Sequence, residues 1–185
     1  QRLAPQCQNL TQLDFARTQL VLNNLGGQGP GGGAMMMLYV NLGTRPDGGR
    51  VNLIVTNTSE YRAPTGSGSS GARQGLREGL GQIGVTRGSP VSLKFQFVDA
   101  ASGQPAELDN FILTFFGLQG FEALTACGHS RVYLSGESAQ GPESEVIAKS
   151  AGDGCGHFGL RHEVDHGEGA DELGPRGSSR VQMAR

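Results

Sequence analysis

Between Val91 and Val98 the chain alternates without a break: Val91, Leu93, Phe95 and Phe97 are apolar, and Ser92, Lys94 and Gln96 between them are polar. A period of two places one set on each face of an extended strand, which a helix cannot do. The segment therefore requires a sheet with one buried face. Other short apolar runs supply partners for it: Gln19 to Leu25, Met35 to Leu42, and Val51 to Asn57, where Val51, Leu53 and Val55 share a face. Between the last two, Arg45-Pro46-Asp47-Gly48-Gly49 is a turn signal, because Pro presets the first turn position and Asp-Gly accepts positive φ.

With 31 glycines in 185 residues, turns and close backbone approaches must be frequent and long helices rare. The fold class that follows is all-β, an antiparallel β-sandwich or jelly roll. Phe111-Ile112-Leu113-Thr114-Phe115-Phe116 is apolar on both faces, which predicts a central strand covered on both sides. Thr11 is placed to cap a short N-terminal helical turn through Leu13, Asp14, Phe15 and Arg17. Arg131 to Ser135 and Ser144 to Ala148 suit further strands, whereas Thr65 to Gly75 reads as a Gly/Ser-rich loop. The predicted organisation is a sandwich domain over residues 1–150, with its core at 19–116, and a polar, Gly-rich flexible tail at 151–185.

A net charge of −2 provides no overall basic field, and the 15 Lys and Arg residues do not cluster, so nucleic-acid binding is not expected. No apolar run reaches the ~20 residues of a membrane-spanning helix. The chain starts at Gln1, as a mature product relieved of its targeting segment would. Cys7, Cys127 and Cys155 allow one disulfide and leave one thiol. Asn9-Leu10-Thr11 and Asn57-Thr58-Ser59 both match the N-glycosylation acceptor pattern, which matters only on a secretory route. Met35-Met36-Met37, a conceivable soft-metal surface, is better read as core filling at the start of a strand.

The span from Met37 to Phe116 resembles secreted β-sandwich modules of protists such as dinoflagellates and of bacterial surface proteins. The resemblance lies in Leu38-Tyr39-Val40-Asn41-Leu42-Gly43, Val51-Asn52-Leu53-Ile54-Val55-Thr56, Gly81-Gln82-Ile83-Gly84-Val85, Leu93-Lys94-Phe95-Gln96-Phe97-Val98-Asp99 and Leu108-Asp109-Asn110-Phe111-Ile112-Leu113-Thr114-Phe115-Phe116. It implies a secreted or cell-surface adhesion or scaffold domain of the kind stabilised by a cation. Where such modules continue with an Asp-hydrophobic-Asp step, this chain has Gly117-Leu118-Gln119, so a calcium site has lost its likeliest oxygen donors. Asp99, Asp109 and Asn110 stand at strand ends, where such residues are usually turn formers.

The one chemically pointed motif is His162-Glu163-Val164-Asp165-His166, an H-E-x-x-H pattern. On a helix His162 and His166 would share a face and could ligate zinc, Glu163 would act as general base, and Glu172 falls where a third ligand could stand. The surrounding glycines are poor helix formers, and no apolar face is present to seat such a helix. A non-catalytic zinc site drawn from Cys127, His129, Cys155, His157, His162 or His166 is a further alternative, although Cys127-Gly-His129 and Cys155-Gly-His157 do not follow finger spacings. The sequence thus favours a non-enzymatic binding or scaffold module of an exported or surface protein, with a protein or glycan partner. The zinc-dependent hydrolase is the rival reading.

Overall fold

The computed structural model describes residues 10–30, 32–64, 74–108, 110–118, 122–134, 146–160 and 179–184. The described residues are almost entirely antiparallel strands and turns, the sandwich-like all-β class expected. The chain divides into two compact units, Gln1–Asp109 and Asn110–Arg185.

The first unit is built on β3 (Met37–Thr44) and β4 (Arg50–Asn57), a hairpin closed by the Arg45–Gly49 turn. Gly48 adopts φ 86°, the conformation its place after Asp47 calls for. Beyond β4 lies β7 (Leu93–Asp99), paired over its whole length from Asn57↔Leu93 to Val51↔Asp99. The other edge of β3 is shared by β1 (Gln12–Leu13) and β2 (Gln19–Asn23), one line of chain interrupted between Leu13 and Gln19. Within that interruption the Asp14 N–H donates to Leu42 O at 2.7 Å and Thr18 Oγ1 donates to Val40 O at 2.6 Å. The helical turn predicted from Thr11 is therefore corrected to strand and turn. Gln12 and Leu13 gain ladder partners on β3, and Phe15 packs edge-on against Tyr39 with ring centroids 5.4 Å apart.

The buried face of this sheet carries Met37, Tyr39, Leu42, Leu53 and Val55, joined by Leu25 and Tyr61 from the loops. Leu93, Phe95 and Phe97 pack on the same cluster, as their alternation requires. Met37 is fully buried while Met35 is 67% exposed, so core filling holds for the last of the three methionines and fails for the first. A two-stranded hairpin, β5 (Gly75–Arg77) and β6 (Leu80–Gln82), adds Leu76 to the cluster. Its loop is Glu78-Gly79, both at positive φ, the pair of conformations a two-residue type I′ turn needs.

Among the described residues the second unit has two three-stranded sheets. One has the order β10 (Arg131–Leu134), β13 (Ser179–Ala184), β8 (Ile112–Leu118). The other has the order β11 (Val146–Gly152), β12 (Cys155–Leu160), β9 (Leu124–Cys127). Val146 and Phe158 of the second sheet are 1% exposed and receive Phe115, Leu118, Val132 and Leu134 from the first. Two findings depart from expectation. Among the described residues β8 is an edge strand, and its Ile112 and Phe116 are exposed; an apolar second face needs no cover, since folded surfaces are rich in apolar atoms. The strands β12 and β13 fall in the stretch whose composition reads as a tail. There, among the described side chains, Phe158 supplies a large buried ring, and Gly156 makes room for it.

Candidate functional site

Two loops of the first unit border an open, shallow cleft. The first, residues 58–63, leaves β4; the second, residues 84–92, leads into β7. Tyr61 anchors the first loop: it is 2% exposed, its hydroxyl donates to Gly84 O at 2.6 Å, and its ring lies against Gly26, where any Cβ would collide with it. Gly26 belongs to a 3-10 turn at Leu25–Gly27, and the next residue, Gln28, grips the loop like a strand neighbour. Its Nε2 donates to Tyr61 O, and its Oε1 accepts the Ala63 N–H at 3.0 Å. Burial pushes the Tyr61 hydroxyl pKa up, which keeps it a neutral donor.

The loops are stitched to each other at both ends. At one end the Thr86 N–H donates to Arg62 O at 2.9 Å and Thr86 Oγ1 donates to Ala63 O at 3.0 Å. At the other the Thr58 N–H donates to Ser92 O at 2.8 Å, and the Ser92 N–H to Ser59 Oγ at 2.8 Å. The open space between them, about 370 Å³, is lined by Ser59, Glu60, Arg62, Thr86, Arg87, Gly88, Ser89 and Pro90. Arg62 holds Glu60 in a two-point fork, Nε to Oε1 at 2.9 Å and a terminal nitrogen to Oε2 at 3.1 Å. That hydrogen-bonded guanidinium lowers the Glu60 pKa, so the carboxylate stays ionised and is a poor proton donor. The lining thus presents hydroxyls, two guanidinium groups and one carboxylate, in a frame held by backbone and side-chain hydrogen bonds. Sequence reasoning placed no loop or site here and named only Ser59 among these residues, as part of the acceptor tripeptide. The only local signal is the charge pair Glu60-x-Arg62, whose i, i+2 spacing places both side chains on one side of an extended segment.

The residues singled out from the sequence lie elsewhere. Cys127 and Cys155 face each other across β9 and β12 and form a disulfide. A zinc site using their thiolates is therefore corrected: sulfurs bonded to each other are not available as ligands. His157 Nδ1 is 2.9 Å from Thr125 Oγ1, a partner on the neighbouring strand, and His129 stacks edge-on toward Phe158 with its Nδ1 buried and unpartnered. Among the described residues no three His, Cys, Asp or Glu side chains gather as a metal-binding group. His162, Glu163, His166 and Glu172 lie outside the described residues, as does Asp109.

Asp99 acts as a turn former. Its Oδ1 accepts the N–H groups of Ala101 (3.1 Å) and Ser102 (2.9 Å) and the Ser102 hydroxyl (2.9 Å), and its Oδ2 meets Arg45 at 3.2 Å. The bonds from Ser102 come first among the causes that hold its carboxyl below the ordinary range, and Arg45 adds to them. Among the described residues no helix is long and apolar enough to cross a membrane. The chain matches no family model, no curated protein and no solved structure.

Proposed function

We propose that this chain is a non-enzymatic binding module of an exported or cell-surface protein, and that the cleft between residues 58–63 and 84–92 receives an acidic oligosaccharide. The observation that carries this reading is the lining itself. Ser59, Thr86 and Ser89 offer hydroxyls, Arg62, Arg87 and Glu60 are its charged side chains, and among the described lining residues none is an aromatic or large aliphatic side chain of the kind protein partners usually grip. Glu60, held ionised by Arg62, suits orientation of sugar hydroxyls better than proton transfer. The Cys127–Cys155 disulfide supports an oxidising, extracytoplasmic setting.

The test is a screen of uronate-bearing and sulfated oligosaccharides, followed by titration calorimetry with the best binder. Arg62→Ala and Arg87→Ala should each weaken binding by about tenfold or more, the size of one lost charge-assisted hydrogen bond. Arg17→Ala, at a side chain 88% exposed in the same unit, should change nothing. Absence of binding across the acidic set, or affinity indifferent to both cleft arginines, would overturn the proposal.

A further inference from the structure

We infer that Asn57 is an N-glycan acceptor, so that the chain carries one oligosaccharide of its own at the rim of the cleft; this rests on the export reading above. Asn57 is the last residue of β4, and the two residues that complete its acceptor tripeptide, Thr58 and Ser59, are exposed where the strand gives way to the loop. The Asn57 side-chain Nδ2 donates to Ser59 O at 2.8 Å, so the tripeptide is folded back on itself at the surface. A glycosylated amide keeps one N–H, so one donor remains on this nitrogen beside Ser59 O.

The second acceptor tripeptide behaves differently. Its hydroxyl residue, Thr11, is only 4% exposed, inside the folded first unit. Of the two tripeptides, Asn57-Thr58-Ser59 is the one whose hydroxyl residue is exposed. In the transfer, Asn57 Nδ2 attacks the anomeric carbon of a lipid-diphosphate-linked oligosaccharide. The N–C bond forms, the C–O bond to phosphate breaks, the lipid diphosphate leaves with the electron pair, and one amide proton passes to solvent through the transferase. Since Ser59 also lines the cleft, the attached sugar stands beside the proposed ligand site.

The experiment sends the full chain through the secretory pathway of a eukaryotic cell behind a cleavable leader, then maps glycopeptides by mass spectrometry before and after amidase treatment. The expected result is a single glycan on Asn57, lost in Asn57→Gln and Ser59→Ala and retained in Ser59→Thr. A secreted chain with unmodified Asn57, or with sugar on Asn9 alone, would overturn the assignment. Peptide mapping of the unmutated chain decides the matter even where a variant fails to fold. Because the leader imposes entry, failure here refutes the acceptor alone. The export reading is judged separately, by whether the native protein is found in the exported fraction of its own cells.

Discussion

Asn41 sits in the middle of β3 with φ 55°, a left-handed backbone that few residues other than glycine adopt. Its N–H is taken by Asn52 Oδ1 at 2.8 Å, and the pairing of β3 with β4 slips there, Tyr39 facing Leu53 while Gly43 faces Val51. The bulge changes the phase of the strand. Before it Met37 and Tyr39 point into the core; after it Leu42, not Asn41, is buried. Asn41→Val should therefore cost about 1–2 kcal/mol, the penalty of a β-branched side chain in that region, while Asn41→Gly should be tolerated. Urea midpoints of the two variants check this. The phase change was invisible in the sequence, where Met35 to Leu42 reads as one apolar run. By contrast, Asp47-Gly48 and the alternation at Leu93, Phe95 and Phe97 were legible, because local backbone preference and side-chain period act without long-range help.

At the scale of elements, the least legible were those whose reason lies far away in sequence. Gln12–Leu13 is a strand only because β3 offers it an edge, and the β5–β6 hairpin rests on Glu78-Gly79 with few apolar residues around it. Strand β12 had no periodicity to show, with glycines at 156 and 159; it forms between β11 and β9 and is tied to β9 by the Cys127–Cys155 bridge. That bridge closes a loop of 28 residues in sequence, so replacing both cysteines by serine should lower stability by about 2–4 kcal/mol. A matching fall in the urea midpoint of the native chain on reduction, and none in the double variant, would confirm that the bridge is the source.

For the whole molecule, the division at Asp109 and Asn110 means that the first unit has a core of its own, from Leu25 to Tyr61 with β7 packed upon it. A fragment of residues 1–109 should accordingly unfold in a single cooperative urea transition with coincident fluorescence and circular-dichroism midpoints. A broad, non-coincident loss of signal would contradict this. The candidate cleft lies wholly inside that fragment, so cleft binding should survive the truncation. The cleft was beyond sequence reading because its walls meet through bonds of Tyr61, Thr86 and Ser92 to residues more than twenty positions away. The interrupted edge of β3 also bears on how the protein behaves in a crowd. A long unbroken border strand is a template on which another chain can extend a sheet. Here that border is cut by the Asp14–Thr18 excursion into pieces of two and five residues, and the longer piece is bent again between Leu20 and Leu22. Neither piece is long or straight enough to seed open-ended stacking, so the irregularity that spoils the strand pattern also guards this border of the sheet against extension by another chain.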